Sequence, residues 1–308
     1  MSTSARPQVE KVATLAGHRD CVYTLAGDPN EATCYSAGAD GLVVAWNIEQ
    51  PEQDGELVAN VENSVYALCY LPERNLLVLG HNFQGVQVIA LAEKKLLHAT
   101  ALPPVAIFDL AYSASLNRLF VALGDGTLAV LRGHDFSLEK LLRFADKSLR
   151  CLALHPTRPE LAVGSSDMTV RILDAAFLDV KLTIRDAANS VFTVAYSPDG
   201  STLLAAGRDA HLRRYKVAAG YALQESVVAH MFTINHVAYS PNGRYFATAS
   251  MDKSIKLWEA ATGRLLRVVD RARNAGHGTS VNKLFWSGRQ NRLVSCSDDR
   301  SLAVWQII

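Results

Sequence analysis

Three times this 308-residue chain sets a histidine, a hydroxyl and an aspartate in the same order: His18, Ser36, Asp40; His230, Thr248, Asp252; and His277, Ser295, Asp299. In each trio the hydroxyl stands four residues before the acid, and a tryptophan, Trp46, Trp258 or Trp305, follows the acid by six. Imidazole, hydroxyl and carboxylate are the parts of a hydrolase triad. Three copies of one active site, each beside an indole and none within a strained Gly-x-Ser-x-Gly turn, argue against that chemistry. The alternative is a chain of hydrogen bonds from indole N–H to hydroxyl, hydroxyl to imidazole and imidazole to carboxylate, which satisfies polar groups that burial would penalise. These twelve residues are therefore expected to form a structural relay, with no catalytic residues and no enzymatic activity.

Other reactive residue types lack the spacing for a site. Gly124-Asp125-Gly126-Thr127 has the glycines of a phosphate loop but falls in a strand-to-strand turn with no helix after it, so the glycines read as turn formers. Among the nine histidines none has metal-ligand spacing, and Asp298-Asp299 lacks the further oxygen donors of a calcium loop. No metal and no cofactor are expected. Cys21, Cys34, Cys69, Cys151 and Cys296 form an odd set without a Cys-x-x-Cys pair, the pattern of inert core thiols in a reducing compartment.

The formal net charge of +1 provides no global field for nucleic acid or an anionic membrane. A local excess at Arg264, Arg267, Arg271 and Arg273, broken by Asp270, reads as a solvated outer strand and loop. No apolar run reaches membrane-spanning length, and the polar start from Met1 to Glu10 lacks a secretory stretch. A cytoplasmic protein is expected, or a nuclear one in a eukaryote.

The trios sit inside a longer repeat, and the repeat supplies the elements that position them. A 25-residue pattern begins at the apolar anchors Val22, Val65, Ile107, Leu149, Val191, Ile234 and Val281, seven copies with no gap inside any. Eighteen residues after the anchor comes an acid, Asp40, Asp125, Asp167, Asp209, Asp252 or Asp299, except in the second copy, where Phe83 stands. Copies start 42 or 43 residues apart, the last one 47, and a period of this size points to propeller blades. In the fifth copy Val191 to Tyr196 reads as a strand, Ser197-Pro198-Asp199-Gly200 as a tight turn and Thr202 to Ala206 as a second strand. A third strand, such as Ser254 to Trp258, and a more polar fourth, such as Gly263 to Val268, complete four antiparallel strands. The last copy stops after its third strand, and Val9 to Leu15 precedes the first copy as a strand in search of a sheet. The expected fold is all-β: a seven-bladed propeller over residues 16–308, closed by an N-terminal strand at 9–15, with residues 1–8 as a flexible start.

Gly17-His18, Gly276-His277, the recurring aspartates and the closing tryptophans resemble the WD-repeat (tryptophan–aspartate repeat) β-propellers over residues 9 to 308. The chain departs from that pattern in having no Trp-Asp pair: Asn47, Glu259 and Gln306 follow the tryptophans, and the second to fifth copies lack most of the relay. The resemblance implies a seven-bladed ring that docks other proteins without catalysis. It also implies that the residue after each anchor lines the channel mouth: Tyr23, Tyr66, Phe108, Arg150, Phe192, Asn235 and Asn282. Arg208, Met251 and Asp298, with Asn82 in the second copy, precede the acid position and join that face, beside an enlarged loop from Arg271 to Thr279.

Aromatic and arginine side chains are the types that anchor protein interfaces, and packing within the channel is the competing role for them. The expected function is a non-catalytic protein or peptide scaffold, monomeric by itself, binding neither nucleic acid directly nor membrane. A small-molecule or modified-side-chain binder using the aromatic mouth is the alternative, and a propeller enzyme the next.

Overall fold

The computed structural model describes residues 7–308 as seven four-stranded antiparallel sheets. Each innermost strand opens on an anchor of the repeat: Val22–Gly27, Val65–Leu71, Ile107–Ser113, Leu149–Leu154, Val191–Tyr196, Ile234–Tyr239 and Val281–Ser287. Every anchor is at most 2% exposed. Successive innermost strands touch, and the seventh touches the first, so the sheets are blades around a central channel.

Burial follows from that stacking. The inner three strands of a blade are covered on both faces by neighbouring blades, and a second strand such as Leu76–His81 is buried at all six positions. The outermost strands have no blade beyond them on the outside edge, and Leu138–Arg143 is exposed at four of its six positions. Apolar clusters accordingly span blade junctions: Val78 and Val88 of the second blade pack with Ile107 and Leu123 of the third.

The turns have the expected chemistry. Gly200 donates its N–H to the Ser197 carbonyl at 2.8 Å and adopts φ +71°, a left-handed conformation that costs glycine little. The strand bounds differ slightly from expectation in the sixth blade, where Ile255–Glu259 and Leu265–Val269 are the outer pair. Gly263, at φ +73°, belongs to the turn between them.

The structure gives the acid of the repeat a local task in six blades. Asp40, Asp125, Asp167, Asp209, Asp252 and Asp299 each accept the backbone N–H two residues on, at 3.0–3.2 Å. This Asx turn holds the residue between in the left-handed region: Gly41, Gly126, Met168, Ala210, Lys253 and Arg300 all have φ between +60° and +90°. In the second blade Phe83 has no such side chain, and the positive φ moves one residue earlier, onto Phe83 itself.

The last blade is completed by the N-terminal strand. Val9–Ala16 pairs antiparallel with Ser301–Ile307, from Val9 opposite Ile307 to Ala16 opposite Ser301. The expected flexible start falls largely on residues 1–6, which lie outside the described residues. Pro7 and Gln8 are placed: the Pro7 carbonyl accepts from Arg267 Nε at 2.8 Å, and Gln8 exchanges backbone bonds with Ile308.

Candidate functional site

All seven innermost strands share one irregularity. The pairing with the second strand slips between the anchor and the residue two beyond it, leaving one bulged residue per blade. Those residues are Tyr23, Tyr66, Phe108, Arg150, Phe192, Asn235 and Asn282, and all seven line one cavity of about 530 Å³ on the ring axis. A bulge re-aims its side chain away from the alternation of the strand, and here seven bulges turn seven side chains towards the same space.

The seven form an arc and a clamp. Tyr23 and Tyr66 have ring centroids 4.9 Å apart, and Tyr66 stacks on Phe108 at 5.7 Å with planes 15° apart. The Arg150 guanidinium lies 3.8 Å from the Phe108 ring centroid and 4.5 Å from that of Phe192. The asparagines turn to the backbone: Asn235 Nδ2 donates to Ser280 Oγ and the Val281 carbonyl, both at 2.9 Å, and Asn282 Nδ2 to the Val22 carbonyl at 2.9 Å and Asp298 Oδ1 at 2.7 Å. Their amides bolt blade six to seven and seven to one. Burial, with Cys21, Tyr66, Asp298 and Asp20 nearby, pushes the Tyr23 phenol up to about 12.

The positions before the acid behave differently. Arg208 and Met251 are exposed and Asp298 is half-buried, and none of the three lines the cavity. Asn82 is fully buried, donating to Ser64 Oγ at 3.0 Å and accepting the Ile107 N–H at 2.8 Å, so it joins blades rather than facing a partner. The Arg271 to Thr279 loop also departs from expectation. Its short helix Arg271–Asn274, capped by Asp270, turns to the closing strand: Asn274 Nδ2 donates to the Val9 carbonyl at 3.4 Å and Lys11 Nζ to that of Ala275 at 2.7 Å.

In blades one, six and seven, the four relay positions come together. Trp46, Trp258 and Trp305 donate their indole N–H to Ser36, Thr248 and Ser295 at 2.8, 3.0 and 2.9 Å. Those hydroxyls meet Nε2 of His18, His230 and His277 at 2.7, 2.7 and 2.8 Å. Nδ1 of the same rings lies 3.0, 2.9 and 2.9 Å from Asp40, Asp252 and Asp299. A neutral imidazole protonated at Nδ1 satisfies every donor in this chain, a tautomer assigned from the network. Burial lowers the pKa of His230 and so favours that neutral ring. Burial alone would raise the carboxyls of Asp252 and Asp299, but bonds from the histidine, a serine and a backbone N–H outweigh it and hold both well below the usual carboxylate range.

The fourth and fifth blades use a different partner for the acid, one the sequence reading missed. Arg171 Nη2 lies 2.6 Å from Asp167 Oδ2 and Arg213 Nη2 2.7 Å from Asp209 Oδ2, each arginine four residues after its acid. Each arginine takes the place of the absent histidine. In the second blade His81 accepts the Asn63 N–H at 3.3 Å and meets Gln87 at 3.0 Å instead.

A family model described as "WD domain, G-beta repeat" matches residues 9–47, 127–174, 180–216, 222–259 and 269–306, more than half of the chain. The chain belongs to the WD-repeat family. The longest stretch without a match, 48–126, contains the second blade, where Phe83 replaces the acid. Among relatives, the chain is 36% identical over 162 residues to Nuclear distribution protein PAC1 of Ajellomyces capsulatus (strain H143), covering 52% of this chain and 34% of that one. It is 31% identical over 127 residues to Small ribosomal subunit protein RACK1 of Candida albicans, covering 38% and 39%. To Echinoderm microtubule-associated protein-like 4 of Xenopus laevis it is 26% identical over 234 residues, covering 72% and 24%. The matched part is thus between about a quarter and two fifths of each relative's length. The solved WD40 β-propeller domain of Doa1 superposes with a TM-score of 0.81 over 97% of both chains at 17% identity, a likeness of fold.

One further feature of this WD-repeat ring escaped the sequence reading. Phe83, Met168, Met231, Phe232 and Met251 are 56, 42, 82, 57 and 56% exposed. All five occupy turns or loops at the end of the blades where the innermost strands begin, the end that opens onto the cavity. Two of them are held at blade six: the relay acid Asp252 accepts the Met231 N–H at 3.1 Å, and the Met251 N–H donates to the Thr233 carbonyl at 2.9 Å. Among the described residues, no helix is long and apolar enough to cross a membrane.

Proposed function

We propose that this WD-repeat propeller is a non-catalytic platform that binds other proteins through the end of the ring bearing the aromatic cavity. The observation that carries the reading is the set of five large apolar side chains exposed on the loops around that cavity. Water-exposed apolar groups gathered on one face gain free energy when a partner covers them, and methionine adapts its shape to differing partners. The printed names of relatives tie them to a ribosomal subunit, to microtubules and to nuclear distribution, uses in keeping with a docking role.

Two observations weigh against the other readings. The relay hydroxyls Ser36, Thr248 and Ser295 are 0% exposed and already bonded to indole and imidazole, so a substrate has no access to them. The slot between Phe108 and Phe192, where a ligand cation would stack, holds the chain's own Arg150.

The test is partner capture by cross-linking with the whole chain, repeated with Met231→Ser/Phe232→Ser and with Tyr66→Ala/Phe108→Ala. Each hot-spot residue removed should cost roughly 2 kcal/mol of binding, while the denaturant midpoint of the loop variant stays put. Undiminished capture by both variants would place the binding surface elsewhere. A lowered midpoint with unchanged affinity in the Tyr66/Phe108 variant would assign the aromatic arc to packing.

A further inference from the structure

Seven arginines among the described residues are buried or half-buried, and six of them donate to an oxygen of the chain. Arg118 bonds Glu139, Arg171 bonds Asp167, Arg213 bonds Asp209, Arg214 bonds Glu225, Arg267 bonds the Pro7 carbonyl and Arg292 that of Ile48. The seventh is Arg150. Its guanidinium rests against the rings of Phe108 and Phe192, and no hydrogen bond or ion pair to a described residue uses any of its N–H groups.

Ring faces stabilise the cation but satisfy no N–H donor. Burial lowers the pKa of Arg150, so its charge is already partly desolvated and lacks a counter-charge. The one acid in the cavity lining is Asp109, and it is engaged: Oδ2 accepts the Leu152 N–H at 2.8 Å and Oδ1 faces Lys283 Nζ at 3.6 Å. A forked donor clamped between two rings has little rotamer freedom left to lose on forming a bidentate pair. Because the cavity is open to solvent at the apolar rim, a partner docked there has a direct route to it.

We propose that Arg150 is the receptor for one carboxylate that a partner inserts into the channel mouth, from an Asp or Glu side chain or a free chain terminus. This deepens the protein-binding reading and rests on it. One cation calls for one singly charged acceptor, because the remaining cavity cation, Lys283, is matched by Asp109. The flanking aromatic arc packs the stem that carries the carboxylate, and the rim methionines and phenylalanines cover its neighbours in the partner.

The experiment measures binding of the full chain to fluorescent random hexapeptide pools. Four amidated pools carry a fixed Glu, Asp, Gln or phosphoserine at a central position, and a fifth carries Gln with a free terminal carboxylate. Preference for Glu, Asp or the free terminus over amidated Gln is expected, and whichever of these binds tells side chain from terminus. Arg150→Met, which keeps an apolar stem between the rings, should weaken that pool by at least about thirtyfold, with Arg150→Lys between. The charge preference of the unaltered chain is informative even if a variant folds poorly. Equal binding of the Gln pool, a preference for phosphoserine, or an Arg150→Met variant of well-folded midpoint and full affinity would each overturn the carboxylate assignment while leaving the docking face standing. Binding of no pool would overturn both.

Discussion

Asp109 and Lys283 stand at the same position of their repeats, two residues past the anchor, and face each other from blades three and seven with Oδ1 3.6 Å from Nζ. The second oxygen of Asp109 accepts the Leu152 N–H of blade four at 2.8 Å. Thr193 Oγ1 and His236 Nδ1 do the same for Val237 and Leu284 of the following blades, at 3.1 and 3.3 Å. An acceptor nitrogen must be unprotonated, and burial, with the Lys283 charge second, holds His236 well below the ordinary histidine pKa. In three of the seven blades, the third, fifth and sixth, the residue after the bulge thus stitches its blade to the next from within the channel.

Removing Asp109 should therefore cost more than removing Lys283. Asp109→Ala strands a backbone N–H and a lysine, a loss of about 1–3 kcal/mol. Lys283→Met leaves the stitch to Leu152 in place and should cost no more than about 1 kcal/mol. Urea midpoints decide it: equal losses would mean that the ion pair, rather than the amide bond, does the holding.

The aspartates of the repeat should rank by the number of bonds each accepts. Asp125 takes only the Thr127 N–H at 3.0 Å, and Asp125→Ala should cost about 1 kcal/mol. Asp299 takes His277, the backbone N–H groups of Gly278 and Ser301, and the Ser301 hydroxyl at 2.6 Å. Asp299→Ala, and likewise His277→Ala, should lower stability by roughly 1–3 kcal/mol, with no hydrolytic activity to lose. A larger effect at Asp125 would show that the relay adds nothing to the Asx turn.

The seven blades and their relay residues were legible because spacing is a linear property: the anchors start the inner strands, and His277, Ser295, Asp299 and Trp305 keep the intervals seen in two other copies. What spacing alone did not show is who replaces a missing member. Arg171 and Arg213 were readable only by asking what else lies four residues past an acid. The exposure of Phe232 depends on where a loop comes to rest. Likewise the fold-back of Asn274 onto Val9 joins residues 265 apart, and only the closed ring brings these together.

Acid should weaken the protein in two stages. His230 has a folded pKa below its unfolded value of about 6.5, so as pH falls through that value the unfolded chain binds the proton first and stability drops. Asp252 and Asp299 have folded values below the unfolded value of about 3.9. Their contribution is complete above that value and is lost as pH falls towards the folded values. The denaturant midpoint should decline on going from neutral to pH about 5 and fall more steeply below about 4. With Asp252→Asn the steep stage should shrink. A midpoint flat from neutral pH to about 3 would contradict both shifts.

Closure of the ring should depend on the N-terminal strand. Leu15 is 3% exposed and packs with Val22 and Trp46 of the first blade and Leu302 and Val304 of the last, so it lies at the junction where the chain's two ends meet. Leu15→Ala should cost about 2–5 kcal/mol, as for a buried leucine elsewhere. Deleting residues 1–15 goes further: it removes most of the ladder that pairs with Ser301–Ile307 and the carbonyls that Arg267 and Asn274 hold. The strand that ends in Trp305, Gln306 and Ile307 then becomes an open apolar edge, able to pair with a second chain. Light scattering and thermal unfolding of the truncated protein should show association and a large fall in melting temperature, while addition of a peptide with the sequence of residues 7–16 should reverse both. A truncated chain that stays monomeric and melts with the parent would mean that the ring is held shut by its inner strands alone.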